Sequence, residues 1–370
     1  MRYAPLGKTG LSVSRLGFGA MRLLMDGKNV DFDQATRLMR RAFDLGVNFV
    51  DSQYHYCGDQ SETAVGKAVA GRRDQVIIQT KAAYYDQPKY GPWEDHRARL
   101  EETLRRLSVD YLDIYLMHSL DMTKWKQYGE GWMNMARKAK EQGLIRHIGL
   151  SAHDTPENII ALLDTGCFET ILLQYNMLDT RNEKALAHAR AKGIGTMVMG
   201  PVGGGRLAGP PPEWAGRTGG CRTSAELALR FVLSNPDVDC AFSGMRSEAE
   251  IEENCAVASR KEALTAGERK LILGVIGEKQ RLAQVYCSGC GYCQPCPQDV
   301  PIPHLLSALA MDKVWGLKEA ARARYARLNA GKTPGAPAPV CVECGQCLPK
   351  CPQKIDIPAR LREAREALGS

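Results

Sequence analysis

The segment VNFVDSQYHYCGDQSETAVGKAVA, residues 47–70, contains the repeating unit that decides the fold of this chain. It opens with NFVDS, a short apolar run typical of a β-strand. It closes with SETAVGKAVA, whose apolar residues recur three and four positions apart as in an amphipathic helix. A strand followed directly by a helix predicts a βα unit, in which the next strand pairs in parallel.

The same alternation extends in both directions, between residues 12 and 245. The strand candidates are eight short runs: RLGFGAM, NFVDS, VIIQTK, YLDIYLMHS, HIGLSA, TILLQYN, TMVMGP and CAFSGM. Amphipathic helix candidates follow nearly all of them, and several begin at Ser, Asp or Asn, which can cap the first free backbone N–H groups. Eight repeats over about 250 residues predict a closed (β/α)8 TIM barrel. A doubly wound open sheet is the alternative, but the Gly-rich turn usual after its first strand is absent.

Composition excludes several classes of protein. The 370 residues are 44% hydrophobic, which is enough for a sizeable core, and the net charge of +7 comes from scattered basic residues. Nucleic-acid binding would require a basic stripe or recognition helix, and neither is present. The N-terminus has no charged region followed by an apolar one, and no apolar run approaches a membrane span. We therefore expect a cytoplasmic protein that binds neither nucleic acid nor membrane.

Cysteines are distributed unevenly. Five of the thirteen are scattered through the first 260 residues, and we interpret these as buried small apolar side chains. A reducing cytosol does not favour disulfides, so metal or redox chemistry is the better explanation for the other eight. These eight form two blocks, Cys287, Cys290, Cys293 and Cys296, and Cys341, Cys344, Cys347 and Cys351.

The spacing within the two blocks indicates iron–sulfur clusters. The second block, CVECGQCLPKCP, separates its cysteines by two, two and three residues and ends in Pro, as in the bacterial ferredoxin run. The first block has two residues where three are expected before its last cysteine. Eight thiolates suit two [4Fe–4S] clusters. Zinc is the main alternative, but three cysteines at two-residue spacing followed by Cys-Pro fit a tetrahedral zinc site poorly.

The C-terminal segment resembles bacterial-type and α-helical ferredoxin domains. That resemblance implies that Cys296 binds the cluster held mainly by the second block and that Cys351 binds the other. The chain is thus expected to comprise a barrel over residues 1–262, a connecting helix over 263–285, and a small, mainly α-helical ferredoxin-like domain over 286–370.

Polar residues lie where the predicted strands end. If the strands are correctly placed, their C-terminal ends carry Asp51, Lys81, His118, Ser151, Gln174 and Asn176. In a closed barrel these side chains point into one pocket although they are far apart in sequence. A buried carboxylate and ammonium must be paired, so a purely structural Asp51–Lys81 ion pair is the alternative to a catalytic site.

Residues 1–260 resemble the aldo-keto reductase family in four motifs that occur in the family's order. VNFVDSQYHYCGDQSETAVGKAV is similar to its Asp-Thr-Ala-x-x-Tyr segment, VIIQTK to its lysine strand, DYLDIYLMH to its histidine strand, and GLIRHIGLSAH and LLQYN to its fifth and sixth strands. The resemblance places the family's catalytic tetrad on Asp51, Tyr56, Lys81 and His118.

The resemblance implies a role for each member of the tetrad. Hydride delivery to a carbonyl builds negative charge on oxygen, so Tyr56 would supply a proton in the same step. Lys81 would lower the pKa of Tyr56 by stabilising the phenolate. Asp51 would orient Lys81 and keep it protonated, and His118 would orient the carbonyl oxygen.

The resemblance also implies nicotinamide-binding residues. Ser151, Gln174 and Asn176 would hold the nicotinamide amide. The adenine end would lie near SGMRSEAEIEEN, with Ser243, Arg246 and Asn254 as candidates. Arg246 would meet a 2′-phosphate, which favours NADPH over NADH. The glycines of GPVGGGRLA, Gly203 and Gly204, would let the backbone approach the pyrophosphate, although a plain flexible turn also explains them.

Some positions depart from the family pattern. Ser52 and Gln53 stand where Thr and Ala are common, and Met199 replaces an aromatic residue that often stacks on the nicotinamide. Two long segments, residues 82–95 and 120–134, are rich in aromatics. They are expected to form an apolar substrate pocket or a platform for the C-terminal segment.

These observations predict an NADPH-dependent enzyme that reduces an aldehyde or ketone, with two C-terminal [4Fe–4S] clusters of structural, sensing or electron-relay role. The expected partners are a small carbonyl substrate and, for a relay, a redox partner protein. Two alternatives remain open. One is an iron–sulfur electron-transfer protein whose barrel binds a redox partner or a non-carbonyl substrate, and the other is a nucleotide-sensing subunit.

Overall fold

A computed structural model describes residues 1–83, 93–203, 221, 223–287, 291, 293–329, 340–351 and 354–369. The chain divides into two compact units. The first comprises Met1–Val202 with Ala228–Ala263, and the second comprises Gly203–Leu227 with Leu264–Ser370.

Two short hairpins lie outside the main sheet, one before its first strand in the chain and one after that strand. The first pairs β1 (Tyr3–Pro5) with β2 (Ser12–Ser14), and the second pairs β4 (Met25–Asp26) with β5 (Asn29–Val30). In the turn of the first hairpin the backbone N–H of Gly7 donates to Asp239 Oδ2 at 3.2 Å. Since Asp239 directly precedes the last barrel strand, the first hairpin covers the N-terminal ends of the strands.

The first unit is a closed barrel of eight parallel strands, as the sequence predicted. Its strands are β3 (Leu16–Gly19), β6 (Phe49–Asp51), β7 (Ile77–Ala83), β8 (Leu112–Leu120), β9 (Ile145–Ala152), β10 (Thr170–Gln174), β11 (Gly195–Met199) and β12 (Cys240–Ser243). They pair in that order, and β12 pairs with β3 to close the ring. All eight predicted strands are present, and they close into a barrel instead of an open, doubly wound sheet.

Helices alternate with the strands. They are α1 (Phe32–Asp44), α2 (Ser61–Val69), α3 (Trp93–Leu107), α4 (Met122–Glu141), α5 (Pro156–Asp164), α6 (Glu183–Lys192), α7 (Ser224–Leu233) and α8 (Glu248–Ser259). Helices α1 to α6 contact one another in order, and α8 contacts α1. This outer ring covers the apolar outer face of the barrel.

Two expected helix caps are not made. Ser61 is the first residue of α2 and caps nothing, because its hydroxyl donates to the carbonyl oxygen of Ala20 at 2.7 Å. Asn182 precedes α6, but its side-chain amide donates instead to the backbone oxygen of Gln174. Both side chains stabilise the loops at the C-terminal ends of the strands, so tertiary hydrogen bonds have displaced local capping.

The second unit is mainly helical, as predicted. Its helices are α9 (Ala266–Tyr286), α10 (Ile302–Lys313), α11 (Lys318–Asn329) and α12 (Ile357–Leu368). An apolar core between the last three helices includes Leu305, Leu309 and Leu361, and cysteines of both blocks pack against it. None of the helices in the described ranges is long and apolar enough to cross a membrane.

Candidate active site

Four side chains from three neighbouring strands and one loop meet at the C-terminal end of the barrel. Asp51 ends β6, Lys81 lies in β7, and His118 lies near the end of β8. Tyr56 is in the loop between β6 and α2. The structure therefore brings together the four residues that the sequence predicted as a tetrad.

A buried ion pair forms the centre of this group. Lys81 Nζ donates to Asp51 Oδ1 at 2.6 Å, to Asp51 Oδ2 at 2.7 Å and to the backbone oxygen of Ser52 at 2.8 Å. Lys81 is 1% exposed and Asp51 is 6% exposed. The Asp51 carboxylate and the Ser52 carbonyl thus hold Nζ in one position.

Tyr56 lies against this ion pair and against His118. Lys81 Nζ is 4.9 Å from the centroid of the Tyr56 ring, and the two side chains are hydrogen bonded. The rings of Tyr56 and His118 lie edge to face, with centroids 6.2 Å apart and an interplanar angle of 82°. The phenol hydroxyl is therefore in contact with the ammonium, and the phenol ring lies beside the imidazole.

Gln79 is a further member of this group that the sequence did not reveal. Its side-chain amide donates to Asp51 Oδ1 at 2.7 Å, and it is completely buried. Gln79 precedes Lys81 by two positions, so both side chains point to the same face of β7. That two-residue spacing from Lys81 within a buried strand was the available signal.

The environment shifts the pKa of three of these groups, Lys81, Tyr56 and His118. Burial lowers the pKa of Lys81, but the charge of Asp51 and the hydrogen bonds to Asp51 and Tyr56 outweigh it, so the pKa is raised. Burial raises the pKa of Tyr56, and Lys81 lowers it by less. Contrary to expectation, the net shift for Tyr56 is upward, because desolvation of the phenolate exceeds the stabilisation by Lys81.

His118 is held in its neutral form. Burial, and after it the charge of Lys81 and the neighbouring histidines, lowers the pKa of His118 to about 3. At neutral pH the ring is therefore a neutral hydrogen-bonding group that carries one N–H proton.

The two departures next to Asp51 have structural roles. Ser52 Oγ is 2.7 Å from Ser61 Oγ, so the loop after β6 is joined to the start of α2. Gln53 is buried, and its Oε1 accepts from the backbone N–H of His55 at 2.8 Å. The Gln53 side chain thus stabilises the loop that carries Tyr56.

The predicted nicotinamide residues differ in what they offer a ligand. Ser151 Oγ is buried and has no hydrogen-bond partner among the described residues. Asn176 already donates to the backbone oxygen of Gly200 at 2.9 Å and accepts from the N–H of Leu178. Gln174 packs against Gly200, where an added Cβ would lie 2.8 Å from the Gln174 amide. The unpartnered Ser151 hydroxyl fits a ligand amide, whereas Asn176 mainly holds the strand ends together.

The predicted adenine-end residues lie at β12 and α8. Ser243 and Asn254 are buried, and the Asn254 amide is 3.4 Å from Ser243 Oγ. Arg246 is exposed, while its backbone N–H donates to Glu250 Oε2 at 2.6 Å. The sequence did not indicate this carboxylate next to the arginine. Of the glycine pair, Gly203 has a positive φ of 62°, and Gly204 lies outside the described residues.

The two cysteine blocks meet within the second unit. A cavity there is lined by five cysteines, Cys293, Cys296, Cys341, Cys344 and Cys347. Burial, and then the neighbouring thiols of Cys341, Cys344 and Cys296, raise the pKa of Cys347. Cys296 therefore lies beside three cysteines of the second block. Cys287 and Cys351 pack against the adjoining apolar core, and Cys290 lies outside the described residues.

The two aromatic segments have different outcomes. Residues 84–92 of the first lie outside the described residues. Most of the second is helix α4, in which Trp132 and Met133 are buried. Trp125 packs against Phe168, with ring centroids 5.3 Å apart. Most of the second segment is thus part of the outer helix ring, and it is not an extended loop.

Residues 15–211 match the aldo/keto reductase family, and residues 286–355 match the 4Fe-4S dicluster domain. An L-galactose dehydrogenase of Arabidopsis thaliana is 30% identical over 282 residues, which cover 70% of this chain and 88% of that protein. An NADH-specific methylglyoxal reductase of Escherichia coli is 28% identical over 69% of this chain and 93% of its own. The holo form of an aldo-keto reductase from Bacillus halodurans is 29% identical, with a TM-score of 0.65, and the match covers 74% of this chain and 96% of that structure.

Proposed function

The chain belongs to the aldo/keto reductase family and carries a C-terminal 4Fe-4S dicluster domain, and from this we propose that it reduces an aldehyde or ketone with NADPH. The observation that carries the proposal is the contact of the Tyr56 hydroxyl with Lys81, beside His118 and the Asp51 carboxylate. A purely structural ion pair would not require a buried phenol and a neutral imidazole beside it.

Tyr56 acts as the general acid. When bound, NADPH supplies the hydride that reduces the carbonyl carbon. The raised pKa of Tyr56 keeps its hydroxyl protonated at neutral pH, so a proton is available for the carbonyl oxygen. As the proton leaves, negative charge grows on the phenol oxygen, and the Lys81 ammonium stabilises it directly.

Asp51 and His118 support this transfer in different ways. Asp51 keeps Lys81 charged and fixes Nζ through two hydrogen bonds. His118 stays neutral, so it orients the carbonyl oxygen by hydrogen bonding and does not compete with Tyr56 as the acid. The proposed mechanism thus has a single proton donor, Tyr56.

Ser151, Gln174 and Asn176 would hold the nicotinamide amide, with Ser151 Oγ as the best-placed partner because its hydroxyl has none among the described residues. Ser243, Asn254 and Arg246 would bind the adenine end, and Gly203 and Gly204 the pyrophosphate. The guanidinium of Arg246 favours a 2′-phosphate, whereas the Glu250 carboxylate beside its backbone opposes one. The Escherichia coli relative is NADH-specific, so the choice of cofactor is the part of the proposal to test first.

In the C-terminal domain we propose two [4Fe–4S] clusters. Cys296, Cys341, Cys344 and Cys347 would hold one; all four line a common cavity, to which Cys293 also contributes, and Cys296, Cys341 and Cys344 are the thiols near Cys347. Cys287, Cys290, Cys293 and Cys351 would hold the other. Because clusters need free thiolates, we also propose that the protein works in the reducing cytoplasm. A structural role, a sensing role and electron relay to a partner protein all remain compatible with these ligands.

The decisive experiment uses the holoprotein, purified anaerobically. A panel of aldehydes and ketones is offered with NADPH and, separately, with NADH, and cofactor oxidation is followed together with product formation. We expect stoichiometric carbonyl reduction with a lower KM for NADPH. Tight cofactor binding without turnover would instead favour a nucleotide-sensing subunit. Bleaching of the cluster absorbance by NADPH without carbonyl reduction would favour the electron-transfer alternative.

A further inference from the structure

The ring of Tyr54, two residues before the proposed acid, lies between two guanidinium groups. The central carbons of Arg99 and Arg106 are 3.2 Å and 3.5 Å from the ring centroid. Two groups this close cannot share one face of a ring, so one lies on each face. Both arginines belong to α3, which packs against α2. Helix α3 thus holds the Tyr54 ring, in the loop that carries Tyr56, between two cationic side chains.

Arg106 also joins both sides of this loop. Its Nη1 donates to the backbone oxygens of Tyr54 at 3.4 Å and of Asp59 at 3.1 Å, so its two acceptors flank Tyr56. Its Nη2 donates to Glu102 Oε1 at 3.0 Å. The hydroxyl of Tyr54 donates to the other oxygen of Glu102 at 2.9 Å. The ring, the loop backbone and the helix therefore form one closed hydrogen-bonded group.

This group contains charged side chains that are largely buried. Arg99 is 1% exposed and Tyr54 is 6% exposed. Burying charged groups is often no more stabilising than apolar packing of the same volume, so stability alone does not favour such a cluster. The cluster instead fixes the orientation of the Tyr54 ring and its loop, because planar guanidinium groups and paired hydrogen bonds have defined geometry.

We propose that Tyr54, Arg106 and Glu102 form a clamp that positions the Tyr56 hydroxyl against Lys81. The three are positioning residues, since none contacts the reacting atoms. The inference rests on the proposed role of Tyr56 as general acid. Its physical reason is that proton transfer depends steeply on geometry, so that a displacement of about 1 Å can cost about 100-fold in rate.

The test uses the anaerobically purified holoprotein and three variants. Arg106→Lys keeps the positive charge but loses the planar fork. Tyr54→Phe keeps the ring and loses the bond to Glu102. Arg105→Gln is the matched control, because Arg105 lies on the same helix with a side chain 77% exposed and only a 3.9 Å contact to Glu102.

We expect kcat to fall about 10- to 100-fold in Arg106→Lys, less in Tyr54→Phe, and not in Arg105→Gln. The dissociation constant for NADPH should stay unchanged in all three. A second measurement does not depend on turnover. The Cζ resonance of Tyr56, in protein with 13C-labelled tyrosine and assigned by its loss in Tyr56→Phe, reports the hydrogen bonding of the phenol. It should move in Arg106→Lys and Tyr54→Phe and stay in place in Arg105→Gln.

The proposal would be overturned if the Tyr56 resonance stays in place in Arg106→Lys and Tyr54→Phe. It would also be overturned if Arg105→Gln changes kcat and the resonance as much as these two variants do. If Arg106→Lys fails to fold, Tyr54→Phe alone decides, because its ring still fills the space between the guanidinium groups. If the wild-type protein reduces no carbonyl, the resonance still tests the clamp, so failure of the proposed function and failure of the clamp give different results.

Discussion

Lys81 Nζ lies 2.6 Å and 2.7 Å from the two carboxylate oxygens of Asp51, in a part of the barrel from which solvent is almost completely excluded. Such a pair gains little stability over apolar packing. Its effect is to present one fixed positive charge to the hydroxyl of Tyr56.

Replacing Tyr56 with Phe should lower kcat for carbonyl reduction by about 100- to 10,000-fold, because the proton donor is lost while the ring is kept. The dissociation constant for NADPH, measured by fluorescence quenching, should change little. Turnover close to that of the wild type would remove Tyr56 from the mechanism.

Breaking the ion pair from either side should destabilise the barrel. In Lys81→Met or Asp51→Asn one group of the pair stays buried without its partner, so each variant should lose about 3–5 kcal/mol in the free energy of unfolding. The double variant Asp51→Asn/Lys81→Met should lose clearly less than the sum. Urea unfolding of the four proteins measures this coupling, and strictly additive losses would contradict it.

Acid stability should depend on His118. The unfolded chain binds a proton at His118 near pH 6.5, whereas the folded protein does so only near pH 3. Between these values the unfolded state holds more protons, so the free energy of unfolding falls as the pH is lowered through this window. His118→Gln should therefore lose about 2 kcal/mol less than the wild type between pH 6.5 and 4.5. Urea unfolding at the two pH values measures these losses. If the wild type and His118→Gln lose the same free energy of unfolding, His118 protonates normally in the folded protein.

Gly200→Ala should weaken cofactor binding through Gln174. Gly200 has a φ of 64°, and an added Cβ would lie 2.8 Å from the Gln174 amide. Gly166→Ala is the matched control, since Gly166 has a φ of 70° but nothing within 4 Å of an added Cβ. Both variants should lose about 1–2 kcal/mol of stability from backbone strain. Only Gly200→Ala should also raise the dissociation constant for NADPH, and similar constants in both would rule out a role for Gln174.

Cys296→Ser and Cys344→Ser should each lose about half of the bound iron, because both are assigned to the same cluster. The double variant should then lose no more than either single variant. Cys255→Ser, a buried cysteine outside the two blocks, should retain all of it. Iron and sulfide analysis of anaerobically purified protein gives the result, and additive losses would place Cys296 and Cys344 on different clusters.

The local sequence pattern predicted the secondary-structure elements of the barrel and the types of residue at the ends of its strands. The alternation of apolar runs and amphipathic stretches predicted all eight barrel strands, because parallel strands buried on both faces are mostly apolar. Local reasoning was less reliable where a side chain had a choice of partners. Ser61 and Asn182 could have capped helices, but each makes a longer-range hydrogen bond instead. Gln53 stands where Ala is common in the family, and its side chain folds back to accept from the N–H of His55.

By itself the sequence determined that a barrel would form, that Asp51, Lys81 and His118 would lie at one end of it, and that two cysteine blocks would follow. These results depend on periodicity and spacing, which are local properties of a chain. Only the tertiary structure decided the direction of the Tyr56 pKa shift, the hydrogen bond from Gln79 to Asp51 and the stacking of Arg99 and Arg106 on the Tyr54 ring. Each of these depends on burial and on distances between atoms far apart in sequence, and desolvation and Coulomb energy are set by those quantities.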